Sequence, residues 1–393
     1  MTTIDRNVDV STILDAVADI APALRENGRQ AERERRVPTE SIALLEKAGV
    51  FRLTTPRRFG GLEAPLADQA AVYEAIAKAD SATGWAAMIL QSSAWIYTTY
   101  SDQAQEEIFA KPDVRASTGF SPTGTVEPAE GGWVVNGTWK WLSGINHADW
   151  VTLAALHMTP EGPMPYAAVV RASELTVLDD WDTSAAEGTG SASARADGVF
   201  VPAHRVLFLI DMLGAGAPDR ANSGATGSNY AFLPLVMIGA AASYIGIAKG
   251  AYETLLERLP GRPITYTSWT EQGQSPVTQI QVATAENRIA AAEALAAAVV
   301  AVLQGHADAG TYPEMEERAR LRGRVAMVVE LAKEAVEVLH TAAGASAIAR
   351  DVPFQRFHRD MLGLANHALF LFNTNMEVHG RVLLGISPDT PFL

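Results

Sequence analysis

The chain contains no cysteine, which excludes disulfides, thiolate zinc sites and cysteine nucleophiles and fits a reducing compartment. Positive charge is scarce: 31 Lys and Arg stand against 45 Asp and Glu, a net charge of −14. No long basic cluster offsets that balance, so a nucleic-acid duplex or an anionic membrane surface is repelled rather than attracted. The first eleven residues lack the basic start and apolar core of a secretory signal. No run of eighteen apolar residues uninterrupted by polar or small ones reads as a membrane span. A cytoplasmic location is the expectation. His-Glu-x-x-His, a Walker loop and a Gly-x-Ser-x-Gly elbow are all missing, which removes the common metalloprotease, nucleotide-hydrolase and serine-hydrolase readings.

What is present is an ordinary globular balance, 393 residues with 48% hydrophobic and 19% charged side chains, enough for two or three packed regions. Apolar residues fall at helical spacing from about Ser11 to Phe109, as in Ile42, Leu45 and Val50, with Pro56 to Gly61 dividing the region. The texture then changes to short β-rich runs separated by Gly, Pro, Asp and Asn: Val134-Val135, Val151 to Leu153, Ala167 to Val170 and Val199 to Val201. Long alanine-rich segments follow, over Ser228–Leu259, Thr278–Gln304, Glu314–Ala343 and Leu362–Leu384, which predict a four-helix bundle. The order predicts an α+β fold with an N-terminal helical domain (1–113), a central β-barrel or sheet domain (114–210) and a C-terminal bundle (211–393). The irregular stretches Asp211 to Ser228 and Pro260 to Pro276 read either as mobile surface loops or as ligand or subunit contacts.

The most informative stretch is Asn136-Gly137-Thr138-Trp139-Lys140-Trp141-Leu142-Ser143-Gly144. Asn-Gly predicts a turn joining two strands, and strand alternation puts Trp141 and Ser143 on one face. Two readings stand: a hairpin with two core tryptophans, or a surface for a flat aromatic ligand. Gly188-Thr189-Gly190-Ser191-Ala192-Ser193 is one glycine short of a dinucleotide fingerprint and does not open a helix. It predicts a turn whose hydroxyls and amides face a polar ligand. A di-iron site in a helical bundle needs two Glu-x-x-His pairs, and only Glu337-Val338-Leu339-His340 occurs. No metal is expected.

Taken with these motifs, the order of segments resembles the acyl-CoA dehydrogenase superfamily, in which a flavin lies between the β domain and the bundle. Asn136 to Gly144 is similar to that superfamily's Asn-Gly-x-x-x-Trp-(Ile/Leu)-(Ser/Thr) motif. The resemblance implies that Trp141 and Leu142 lie beside the flavin and that the Ser143 hydroxyl reaches N5. Ser117 to Gly124 sits where the family's other flavin-facing strand lies, which brings in Gly119 and Ser121. Asp180-Trp181-Asp182-Thr183, Gly188-Thr189-Gly190-Ser191 and Val201-Pro202 are similar to its Trp-x-Thr, Gly-Thr-x-Ser and Val-Pro elements, implicating Thr189 and Ser191 in cofactor binding. Arg262 and Gln279 lie where relatives meet the flavin phosphate or a neighbouring subunit, and Gly344-Ala345-Ser346 resembles the tight segment that approaches the cofactor from across an interface.

An acyl-CoA dehydrogenase needs a glutamate base late in the chain or on an earlier bundle helix. The late region instead reads Gln355-Arg356-Phe357-His358-Arg359-Asp360, then Asn366-His367-Ala368, and Tyr230 to Gly250 carries no acid. Arg-x-x-Arg-Asp with a histidine seven residues after the Asp resembles the flavin monooxygenase branch. That resemblance implies catalytic roles for His367 and Ser143, with His367 accepting a proton from substrate or assisting oxygen transfer. It implies reduced FMN or FAD delivered by a separate NAD(P)H:flavin reductase, O₂ as co-substrate, and a C4a-(hydro)peroxyflavin that oxygenates a small organic molecule by aromatic hydroxylation or N-oxygenation. It also implies a homotetramer. Trp85, Ser93, Ser121 and His367 are the expected substrate contacts. Several aromatic hydroxylases of the branch carry a histidine where this chain has Ser93, a departure that counts against a phenol substrate and keeps amine or sugar N-oxygenation and thioether or heteroaromatic oxidation in play. Two other readings remain: an acyl-CoA dehydrogenase with an unrecognised base, and a flavin-free helical binding protein.

Overall fold

The computed structural model describes residues 9–214, 216–390 and 393. The secretory-signal reading of the first residues lies mostly outside the described residues, and Ala215 of the Asp211 to Ser228 loop lies outside them too. Five helices come first: α1 Val10–Glu34, α2 Thr39–Lys47, α3 Leu66–Ala79, α4 Ser81–Ile96 and α5 Asp102–Ile108. The helix α4 starts where it does because Asp80, in extended conformation, accepts a hydrogen bond from the Thr83 amide and caps the first turn. It packs unusually close to α3. A β-carbon at Gly84 would stand 2.3 Å from the Ala77 Cα, so glycine here lets the neighbouring Trp85 enter the core from a helix pressed against α3.

Seven strands form one sheet in the order β5-β6-β2-β1-β3-β4-β7. Their ranges are β1 Ala116–Ala129, β2 Gly132–Trp139, β3 Trp150–Thr159, β4 Gly162–Arg171, β5 Thr176–Val177, β6 Ala194–Pro202 and β7 Val206–Phe208. All pairings are antiparallel except β1 with β3. Alternate residues such as Val126, Val135, Trp139, Val151, Leu153, Val170 and Val201 point into a shared sheet core. The turn between β1 and β2 is Glu130-Gly131, not Asn136-Gly137 as the dipeptide predicts. Asn136-Gly137 instead makes an irregularity inside β2, where the register against β6 shifts between Val135 and Gly137. The Asn136 side chain accepts from the Gly198 amide at 2.6 Å. Gly137, at φ +149, lets the β1 backbone approach so closely that an added β-carbon would stand 2.5 Å from the Gly124 Cα.

After the short α6 (Leu209–Leu213) the bundle follows: α7 Phe232–Arg258, α8 Pro276–Ala309, α9 Met315–Ala343, α10 Phe354–Leu364 and α11 Phe372–Leu383. The single helix predicted over Leu362–Leu384 is in fact two, broken by a loop over 365–371 that carries His367. Helical periodicity on both sides of the break concealed it. Two helices, α7 and α8, are long and apolar enough on average to cross a membrane by length and composition, although small and polar residues interrupt both. The apolar stretch of α7 is 89% buried inside the protein, as a core helix would be, whereas that of α8 is only 22% buried.

Candidate active site

The two tryptophans of the Asn136–Gly144 segment do different things. Trp139 ends β2, is fully buried, and donates from Nε1 to the Ala154 carbonyl at 2.7 Å. Trp141 lies beyond the strand with φ +66 and is 69% exposed, its ring edge-on to Trp181 at 5.5 Å. Because the strand has already ended, Trp141 and Ser143 do not share a strand face as alternation predicts. Ser143 turns inward and is buried. A tight series of backbone bonds fixes the segment: the Leu142 amide donates to Ala192 O at 3.2 Å and the Gly144 amide to Thr189 O at 3.1 Å. Leu142 itself is a core residue with its amide already committed, so it supports the segment from behind.

Those bonds stitch the segment to the turn at 188–191, and a chain of hydroxyls results. Ser143 Oγ lies 2.7 Å from Ser191 Oγ, which lies 2.7 Å from Thr189 Oγ1, and Thr189 donates to the Ala186 carbonyl at 2.9 Å. Trp85 Nε1 donates to Ser143 Oγ at 3.2 Å from α4. The Trp85 ring in turn meets Tyr244 of α7 at 5.6 Å, Phe370 at 6.4 Å and His367 at 6.1 Å. Three expected residues, Ser143, Thr189 and Ser191, are thus joined directly, and Trp85 connects them to His367.

The His367 ring reaches solvent but is hemmed in by surrounding protein, and that desolvation holds its imidazole below the usual histidine range. Its Nδ1 accepts a hydrogen bond from the Leu369 amide at 3.2 Å. An Nδ1 that accepts carries no proton, so the neutral ring holds its hydrogen on Nε2.

The Arg-x-x-Arg-Asp motif lies behind this site. Arg356 pairs with Asp80 at 3.2 Å and with Glu32 of α1 at 3.7 Å, and Arg359 pairs with Glu32 and donates to Ser184 O at 2.9 Å. Asp360 accepts from the Ser81 hydroxyl and, at 2.6 Å, from the Ala186 amide. The motif therefore clamps α10 to α1, to the start of α4 and to the turn that presents Thr189 and Ser191. Burial pushes the Asp360 carboxyl up to about 6, with its two hydrogen bonds opposing the rise and Asp80 adding to it. Sequence reading missed Glu32, Asp80, Ser81, Tyr244 and Phe370; only Asp80 carried a local signal, as an Asp placed to cap a helix.

The other expected positions are more scattered. Gly119 and Ser121 lie on the irregular part of β1 between Gly119 and Gly124, Ser121 exposed and Gly119 against the Trp139 ring. Ser93 is buried on α4, two turns beyond Trp85. Arg262 donates to Ala343 O at 2.6 Å and to Ser346 Oγ at 3.1 Å, beside Gly344, which ends α9 at φ +67. Gln279 is on α8 and donates to Gly273 O at 3.2 Å. Among the described residues no hydrogen bond or ion pair joins Arg262, Gln279 or Gly344 to the Ser143 cluster.

These features fit a flavin. Trp141 is an exposed indole held in a left-handed conformation that L residues rarely adopt, and it stands next to buried hydroxyls able to meet a ring nitrogen. Comparison with known proteins agrees. The family model described as acyl-CoA dehydrogenase, N-terminal domain, matches residues 10–112, and that of the C-terminal domain matches residues 238–372. The oxygenase component of p-hydroxyphenylacetate 3-hydroxylase from Acinetobacter baumannii is 31% identical over 97% of this chain and 91% of its own. The oxygenase subunit HsaA of a flavin-dependent monooxygenase from Rhodococcus jostii is 31% identical over 87% of this chain and 90% of its own. The solved structure of XiaF from Streptomyces in complex with FADH2 and glycerol superposes with a TM-score of 0.92, at 26% identity over 98% of both chains.

Proposed function

The chain belongs to the acyl-CoA dehydrogenase family, and from that premise we propose that it is the oxygenase component of a flavin-dependent monooxygenase acting on an aromatic substrate. Reduced FMN or FAD, when bound, supplies the two electrons that activate O₂. The observation that carries the reading is the continuous contact from Thr189 through Ser191, Ser143 and Trp85 to His367, with Trp141 exposed beside it.

Each residue has a task in this reading. Trp141 offers its face to the flavin ring. Ser143, with its hydroxyl oriented by Trp85 and Ser191, holds a hydrogen bond at the reacting edge of that ring, and the aromatic wall of Trp85, Tyr244 and Phe370 keeps water from it. His367 is better read as a hydrogen-bond donor than as the proton acceptor that its residue type predicts. With Nδ1 occupied by the Leu369 amide, Nε2–H faces the substrate and recognises an oxygen or other acceptor on it. The preferred substrate is therefore an aromatic ring bearing an acceptor group.

The two-component plan requires a separate NAD(P)H:flavin reductase, and the reading also includes a cytoplasmic location and a homotetramer. Support for the last is α8, whose apolar stretch is mostly uncovered in one chain, as a helix facing another subunit would be. Light scattering at tetramer mass checks it, and a monomer that still binds flavin overturns it. For the reaction, the protein is mixed with reduced flavin and then with O₂ and aromatic substrate in a stopped-flow instrument. The expected result is a transient absorbance belonging to neither reduced nor oxidised flavin, followed by oxygenated product; its absence with both FMN and FAD overturns the proposal.

A further inference from the structure

Apart from the flavin site, α9 and α10 bring three ligating side chains together. Glu337 and His340 stand three residues apart on α9, a spacing that puts both on one helix face. His358 of α10 completes the group, so that one ligand atom from each of the three lies within 4.8 Å of the others. No other trio of His, Cys, Asp or Glu does this among the described residues. The His340 and His358 rings stack at 3.7 Å and 10°, and the Phe354 ring lies parallel to His340 at 6.3 Å.

One polar atom of this stack is poorly satisfied by protein alone. His358 Nε2 is shielded from solvent and makes no hydrogen bond, although Glu337 Oε1 stands 3.3 Å away. A buried polar atom in that condition calls for a partner. The backbone on either side is rigid: Val336 and Leu339 anchor α9 in the core, and Phe354, Phe357 and Met361 anchor α10.

We propose that Glu337, His340 and His358 form a divalent transition-metal site, of the class taken by Zn²⁺, that ties α9 to α10. Two imidazoles and one carboxylate are a borderline-soft donor set, suited to Zn²⁺, Ni²⁺ or Cu²⁺ and poorly suited to Mg²⁺ or Ca²⁺. With metal–ligand bonds of about 2.0–2.2 Å, adjacent ligands of a tetrahedral ion lie about 3.4 Å apart. Because the two imidazoles are stacked in parallel, bringing both in-plane lone pairs onto one ion needs rotation of at least one ring as well as closure of the ligand atoms, and the fourth position is left to water. The motif search could not find the site, because the third ligand comes from a different helix.

The test uses the full chain stripped with chelator and titrated with ZnCl₂ by calorimetry and with CoCl₂ by visible absorption. Expected are one ion per chain, the ligand-field bands of four-coordinate Co²⁺, and a higher melting temperature with Zn²⁺. Glu337→Gln and His340→Gln, on the more exposed side of the cluster, should keep the metal-free melting temperature. Each should weaken binding by at least the roughly 10–100-fold that even supporting residues of metal sites contribute. His358→Gln should abolish the Co²⁺ bands; if that variant does not fold, the two α9 variants decide alone. Wild-type protein that binds no ion, or binds it no more tightly than the α9 variants do, overturns the proposal.

Discussion

Trp85 Nε1 donates to Ser143 Oγ across 3.2 Å, so a helix of the N-terminal region directly orients the hydroxyl that follows the exposed Trp141. Removing Ser143 leaves a buried indole N–H without its acceptor. Ser143→Ala is expected to destabilise the protein by about 1–3 kcal/mol, while Trp85→Phe with Ser143→Ala costs less than the two separate losses combined, since no donor is then stranded. Urea unfolding of the three variants measures the coupling. In turnover, Ser143→Ala should still bind flavin but release more of the consumed O₂ as hydrogen peroxide. Unchanged coupling of O₂ consumption to product would remove Ser143 from the reacting edge.

How far this site could be read from sequence depends on the range of the interaction. Residues within one motif, such as Ser143 or Thr189 and Ser191, were legible because a short peptide carries the signal. The three-region order was legible from periodicity, since helical and strand spacings differ. The Asn136-Gly137 pair was misread because the same dipeptide serves a hairpin turn and an irregularity within a strand, and only the pairing with β6 separates the two. The clamp of Arg356, Arg359 and Asp360 onto Glu32, Asp80 and Ser81 spans more than 270 positions, and apart from the helix-capping place of Asp80 its partners had no local trace. The motif spacing singled out His367 as a candidate, but its tautomer depends on the Leu369 amide and left no trace in the sequence.

Trp141 offers a test of the proposed flavin contact that is separable from stability. Its side chain is 69% exposed and its backbone is left-handed, so it contributes little packing and holds conformational strain. Trp141→Gly is expected to relax that strain, of order 1 kcal/mol, which offsets much or all of the flexibility glycine adds to the unfolded chain. The same change should weaken reduced-flavin binding by at least about tenfold, the equivalent of 1.4 kcal/mol of ring contact. Thermal unfolding and flavin titration together test it: a clear drop in melting temperature with unchanged flavin affinity would make Trp141 a structural residue.

Asp360 gives the fold a pH signature. Burial raises its carboxyl from 3.8 in the unfolded chain to about 6. Between those values the unfolded state has released the proton and the native state still holds it, so this group's contribution to stability falls as pH rises through that window and is level above it. The full effect is about 3 kcal/mol at 1.36 kcal/mol per unit. Asp360→Asn cannot ionise. Relative to wild type the variant should therefore gain stability as pH rises from 4 to 6, with no further change to pH 8. A stability difference that stays flat across pH 4 to 6 would show that Asp360 ionises normally behind the Arg356 clamp.

His367 supplies the sharpest chemical test. If it acts as a proton acceptor, only a residue with a free lone pair in its place can substitute, and activity must fall as the ring protonates. If Nε2–H donates to the substrate, a neutral amide at the same reach should serve. His367→Gln is then expected to keep substantial oxygenation, whereas His367→Glu and His367→Ala lose it at similar flavin affinity. On the donor reading too, protonating Nδ1 breaks the Leu369 bond that orients the ring, and because desolvation by the surrounding protein holds the ring below its usual range, the acid limb of the wild-type rate should lie below the ordinary histidine value of about 6.5. Nitrogen-15 NMR of labelled histidine gives the tautomer directly, independent of turnover. A neutral ring with its proton on Nδ1 would break the Leu369 bond on which the donor role rests and return His367 to the part of a base.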